Sequence, residues 1–166
     1  MGRAGLIAMW SLLLAAQPTS PPAMSVCDVL AHDPTILNGK LIKVRGILEG
    51  NTEGIYLFGQ CKTNLVTKGL TWGNYLSIYA DLSDVRTARS WEEMGKKIRR
   101  LRPHGVTEQD NVWVTFIGRL ETRASMDEAV VQMPYGLARG GFGHMGGAPA
   151  EINVISVEGV AVEPAP

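Results

Sequence analysis

The sequence predicts a mainly β domain: a five-stranded β-barrel with helices, in the order α-β-β-β-α-β-β. Three observations carry this. Five short segments alternate apolar and polar side chains with the period of two that a half-buried strand requires. Between the third and fourth segments the period changes to the three-and-four spacing of an amphipathic helix. Glycines also interrupt the first and fourth strands, where a small, sharply coiled barrel must bend. With 45% hydrophobic and 19% charged residues in a chain of 166, one domain can bury a core, and global disorder is not expected.

The N-terminus stands apart from the fold. Arg3 precedes the uncharged apolar stretch Ala4 to Ala16, which is too short to span a bilayer comfortably and has the pattern of a signal-peptide core. Ala15 and Ala16 supply small residues for cleavage. Residues 1–16 are therefore expected to be a signal peptide and 17–24 a flexible mature N-terminus. A single domain over 25–160 and a disordered tail over 161–166 are expected to follow. The mature protein should be periplasmic or extracellular and carry no transmembrane span. Cleavage removes one arginine and no acid, leaving 15 basic and 16 acidic side chains and a net charge of −1. General phosphate binding gains affinity from a basic excess, so nucleic acid is an unfavoured partner.

The elements follow in order. Ser25 caps a short helix, with Asp28 in capping-box position and Val26, Val29 and Leu30 on one face. Pro34 ends it, and Asn38-Gly39 turns the chain. The first strand is Lys40 to Glu49, with Ile42, Val44 and Leu48 on one side and Lys43 and Arg45 on the other; Gly46 marks a bend. Asn51 to Gly54 turns into a second strand, Ile55 to Phe58. A loop from Gly59 to Gly73 precedes the third strand, Asn74 to Ala80, with Leu76 and Ile78 on one face and Tyr75, Ser77 and Tyr79 on the other. From Ser83, a reasonable N-cap, to Leu101 the helical spacing runs through Val85, Ala88, Trp91, Met94, Ile98 and Leu101. Glu92 and Glu93 stand four residues before Lys96 and Lys97, in the favourable order for helical ion pairs. Asn111 to Glu121 is the clearest strand. A loop from Thr122 to Ala150 follows, and the last strand, Glu151 to Glu158, slips its alternation by one residue, which predicts a bulge. This order is that of the OB-fold, a small Greek-key barrel.

Two cysteines, Cys27 and Cys61, allow one intramolecular pairing. In an exported protein an even count reads as a disulfide. It would close a loop of about 35 residues and contribute roughly 3–4 kcal/mol in the chain-entropy account.

The run SVCDVLAHDPTILNGKLIKVRGIL, a cysteine-bearing short helix before an N-G-K turn and a V-R-G strand, resembles the start of a group of small exported bacterial proteins of unknown function. GGFGHMGGAPAEINVISV is similar to their C-terminal glycine-rich loop and final strand. The resemblance implies an OB-like barrel and an exported location. It implies no activity and no catalytic residues.

Several motifs bear on function. Gly141, Gly143 and Gly146 spell the dinucleotide fingerprint G-x-G-x-x-G. That fingerprint must follow a strand and open a helix; here Pro149 and a strand follow. The glycines read instead as points of close backbone approach, with His144 as a buried hydrogen-bonding residue that tethers the loop. His32, His104 and His144 lack metal-ligand spacing, so no metal is expected, and no cofactor. G-x-S-x-G is absent, and the adjacent acids Asp127-Glu128 and Glu92-Glu93 are not thereby an acid/base pair; no catalytic residue is assigned. The basic run from Gly95 to Gly105 suits the solvent face of a helix near its C-terminus. Tyr56, Phe58, Tyr75 and Tyr79, on the second and third strands, form a candidate aromatic platform with Lys43 and Arg45 beside it, since that face of an OB-fold commonly carries the ligand. The sequence thus points to a non-catalytic binding or structural module whose partner is a protein or a small envelope ligand. The alternatives are an oligosaccharide- or nucleic-acid-binding protein of the same architecture, or a small envelope enzyme.

Overall fold

The computed structural model describes residues 21–164 apart from 32, 106, 108 and 109. The expected signal peptide, half of the expected N-terminal tail (17–20), the last two residues of the expected C-terminal tail (165–166) and His32 lie outside these residues. β1 (Ala23–Ser25) pairs parallel with residues 43–45, so the end of the expected flexible segment is a strand. The Ser25 hydroxyl accepts from the Asp28 N–H at 3.0 Å and the Asp28 carboxylate accepts from the Ser25 N–H at 2.8 Å, a complete capping box for α1 (Val26–Leu30). Pro34 does more than stop this helix. It opens a 3₁₀ turn, Pro34–Leu37, capped by Asp33.

The long strands are β2 (Leu41–Asn51), β3 (Gly54–Phe58), β6 (Tyr75–Ala80), β7 (Asp110–Thr122) and β10 (Ala150–Pro164). β2, β3 and β6 form an antiparallel meander. β10 lies parallel to β6 and antiparallel to β7, and β7 returns to pair with β2 from Leu41↔Arg119 to Ile47↔Trp113. The strands therefore close into a ring. β2 changes partner near Gly46, giving its first half to β7 and its second to β3. Glycine permits the exchange at this point: a side chain at Gly46 would strike the Phe58 carbonyl oxygen at 2.6 Å. Alternation sends Ile42, Val44, Leu57, Leu76, Val114, Phe116, Leu120 and Ile152 into the ring, all buried.

α2 (Val85–Leu101) covers this core. Trp91 stacks on Phe116 with ring centres 5.6 Å apart, and Met94 is buried beside them. The N-cap is Asp84 rather than Ser83. The Asp84 carboxylate accepts from Arg86 and Thr87 N–H groups at 3.0 Å, while Ser83 turns back to Asp81. Val85 consequently lies outside the apolar stripe and is exposed. Glu92 and Glu93 both pair with Lys96, at 2.8 and 3.2 Å.

β10 exceeds its expected end by six residues. Two register shifts, at Val154/Ser156 and Val157/Gly159, absorb the slipped alternation and let the strand run to Pro164 beside Asp110. Residues 161–164 thus belong to the sheet and not to a tail. The two expected loops are also structured. One holds the small hairpin β4 (Val66–Thr67) and β5 (Leu70–Thr71), the other β8 (Val130–Met133) and β9 (Gly136–Arg139). The loops share a second small core of Trp72, Met126, Ala129 and Val130, in which the Trp72 indole N–H donates to Thr67 Oγ1 at 3.1 Å. Cys27 and Cys61 form a disulfide that fastens α1 to the segment after β3. Among the described residues no helix is long and apolar enough to cross a membrane.

Candidate ligand-binding cleft

β3 places Leu57 inside the ring and Tyr56 and Phe58 outside it; β6 likewise places Leu76 inside and Tyr75 outside. Phe58 and Tyr75 are register partners, so the three outer rings meet. Their centres are 5.0 Å (Phe58–Tyr75), 5.2 Å (Tyr56–Tyr75) and 6.3 Å (Tyr56–Phe58) apart, in edge and tilted geometries that suit aromatic quadrupoles. Two carboxylates stand at the margin. Glu49 is the register partner of Tyr56. Glu53 is held in the β2–β3 turn, where Asn51 Oδ1 accepts from the Glu53 and Gly54 N–H groups at 2.8 and 3.1 Å. Together with Gly50, Asn51 and His144 these residues line a cleft of about 250 Å³.

The glycine-rich loop forms the far wall. A side chain on Gly141 would collide with the Ala148 carbonyl oxygen and meet the Trp72 ring at 2.9 Å. Gly143 has φ +68° and would meet Tyr56 Cε1 at 2.9 Å. Each of these glycines thus lets the backbone lie directly against an aromatic side chain. Gly146 has φ +66° in the 3₁₀ turn that returns the chain toward Ala148. No strand–loop–helix phosphate site exists here: β10 follows, as the sequence indicates.

His144 ties down the loop in a different way from that expected. Its imidazole is about half exposed, with Nε2 3.6 Å from Glu53 Oε1. The tether is its backbone N–H, which donates to the Tyr56 hydroxyl at 3.2 Å. That hydroxyl in turn lies 3.4 Å from the Glu53 carbonyl oxygen. Burial raises the pKa of Tyr75 above the usual phenol value, reinforced by Tyr56 and partly offset by Arg139. The Tyr75 phenol is therefore neutral at ordinary pH.

The expected platform of four aromatic residues, with Lys43 and Arg45 beside it, divides. Tyr56, Phe58 and Tyr75 come together, although Tyr56 is buried under the loop. Tyr79 is exposed on the same strand but beside Asn153, beyond the cleft. Lys43 and Arg45 lie on the part of β2 that pairs with β7. Lys43 forms an ion pair with Glu158; Arg45 sits 5.1 Å over the Trp113 ring and 3.5 Å from Glu163. The cause is the partner exchange at Gly46, which turns the first half of β2 away from β3. Sequence reasoning missed Glu49 and Glu53, whose acidic character changes what the cleft can hold; the register of the hairpin closed by Asn51 to Gly54 was the available signal. Among the described residues no group of three or more His, Cys, Asp or Glu side chains is arranged to hold a metal ion. No protein-family model, curated protein or solved structure matches the chain.

Proposed function

We propose that the protein is a non-catalytic, OB-fold-like binding module of an exported compartment, and that its cleft receives a cationic group from a protein partner or a small envelope ligand. The carrying observation is the juxtaposition of three aromatic rings with the Glu49 and Glu53 carboxylates. Ammonium and guanidinium groups are attracted by aromatic faces and by carboxylates, whereas a phosphate would be repelled by both acids. The location supports the OB-like reading: in that fold ligands sit on the second and third strands between the first-to-second and fourth-to-fifth strand loops. Here those loops supply Glu53 and His144. The Cys27–Cys61 bond agrees with an oxidising compartment, as does the N-terminal apolar segment.

Spermidine, a chitotriose and an oligothymidylate, each titrated while amide shifts are followed by NMR, test the reading. Spermidine should move resonances at Glu49, Glu53 and Tyr75. Glu53→Gln and Tyr75→Ala should each weaken it severalfold with the fold retained. Shifts there from the sugar alone would replace the cationic ligand by an oligosaccharide. Tight, steeply salt-dependent binding of the oligonucleotide would refute the proposal.

A further inference from the structure

A second surface lies between α2 and the last part of β10. Up to Val154 β10 is paired on both sides, by β6 and β7; beyond Val154 only β7 accompanies it among the described residues. The side chains of α2 partly cover this free edge. Ser90 Oγ accepts from the Val157 N–H at 2.7 Å and the Thr87 hydroxyl donates to the Ile155 carbonyl at 3.3 Å. Among the described residues no α2 side chain hydrogen-bonds the backbone of residues 159–163. An uncovered strand edge is a template for another chain.

The groove beside that edge has a volume of about 470 Å³ and an apolar floor of Met94, Val157 and Val160. Its rim carries Arg86, Arg89, Lys97 and Arg100 against Glu93 and Glu158. Both acids are engaged by cations outside the groove, Glu93 by Lys96 and Glu158 by Lys43. Arg89, Lys97 and Arg100 are exposed and form no salt bridge among the described residues. Part of the basic run thus faces a strand edge and is not merely a solvated helix surface.

We infer that this groove docks an extended acidic segment of a partner protein, added as a strand to the β10 edge with its carboxylates on the α2 cations. Three features select a peptide over other polyanions. The free edge offers backbone donors and acceptors that only another peptide backbone complements as a ladder. The apolar floor accepts side chains that a phosphate polymer lacks. Arg89 and Lys97 lie about 12 Å apart along a helix of 1.5 Å rise, and acids two and four residues apart on one strand face span about 7 and 13 Å. This surface is distinct from the aromatic cleft and does not depend on the reading given for it.

The test uses the full chain and a fluorescein-labelled Glu-Val-Glu-Val-Glu-Val-Glu peptide, followed by fluorescence anisotropy. Binding should weaken as salt rises. Arg89→Glu combined with Lys97→Glu, two exposed helix positions, should weaken it about tenfold or more. The same peptide N-methylated at alternate residues keeps its charge but cannot complete the ladder, and should lose at least as much. Amide shifts induced by the parent peptide should centre on residues 159–163, and Tyr75→Ala should leave binding unchanged. The inference is overturned if the methylated peptide binds as tightly as its parent or if the shifts centre on the aromatic cleft. It is equally overturned if oligothymidylate or phosphatidylglycerol vesicles compete better than the peptide, or if the peptide does not bind.

Discussion

The tether of the glycine-rich loop can be taken apart with two single substitutions, and the contrast between them is the informative quantity. Tyr56→Phe removes one oxygen from a residue only 8% exposed. The His144 N–H loses its acceptor at 3.2 Å; the contact to the Glu53 carbonyl, at 3.4 Å, lies at the limit of a hydrogen bond and adds little. One neutral bond is worth about 1 kcal/mol net, and an N–H left incompletely solvated raises the cost to about 1.5 kcal/mol. For a domain near 145 residues each kcal/mol moves the melting temperature about 3–4 °C, so Tm should fall by about 5–6 °C. His144→Ala keeps the backbone N–H and deletes an imidazole that is half exposed and 3.6 Å from Glu53. A surface contact of that kind changes stability by less than about 0.5 kcal/mol. Thermal and urea unfolding give both values. Hydrogen exchange at the His144 amide supplies the local readout, with protection lost in Tyr56→Phe and kept in His144→Ala. A larger destabilisation from His144→Ala than from Tyr56→Phe would refute the reasoning and return the tether to the imidazole.

Three further outcomes are expected. Replacing Cys27 and Cys61 together by alanine releases a loop closed across 34 positions and should lower stability by about 4 kcal/mol, read from urea unfolding; an unchanged midpoint would refute it. Asp110 is lowered to about 2, chiefly by the Arg102 guanidinium at 2.9 and 3.0 Å and then by the Thr107 N–H. Because the folded pKa lies below the unfolded one, the stabilisation is present above about pH 4 and fades as pH falls toward 2; Asp110→Asn should flatten that part of a stability-against-pH profile. Gly141→Ala drives a methyl into the Ala148 carbonyl oxygen and should cost about 2–3 kcal/mol, as overpacking against backbone does; circular dichroism melts of the variant would expose a smaller effect.

The strands inside the ring were legible because their chemistry alternates. Val112, Val114 and Phe116, or Leu76 and Ile78, announce both the strand and the face that is buried. The capping box at Ser25 and Asp28 is local and could be read directly. What escaped depended on contacts distant in sequence. Leu65, Leu70 and Trp72 look like scattered apolar residues until Met126 and Ala129 meet them, so the second core had no periodic signal. The hairpin β8–β9 exposes residues on both faces and therefore lacks the alternation by which strands are recognised. The aromatic half of the candidate cleft was visible in the alternation of β3 and β6. Its acidic half was not, because Glu49 reaches Tyr56 only through strand register, and Glu53 reaches His144 only when the loop folds back. Lys43 and Arg45 misled for a related reason: they share a strand with Glu49, and only the partner exchange near Gly46 shows that they serve another side of the molecule.

The pairing of β2 with β7 has a kinetic consequence. Leu41 meets Arg119 and Ile47 meets Trp113, so the first long strand waits for one that follows the helix. β7 in turn takes its other partner from the final fifteen residues described, Ala150–Pro164. Local collapse of the β2–β3–β6 meander leaves one side of β2 and of β6 without a neighbour. The ring is therefore expected to close late and cooperatively, at the entropic cost of long-range closure. A fragment ending before β7 should accordingly populate no stable fold, and the intact chain should unfold in one cooperative step whether followed at Trp91 or Trp72.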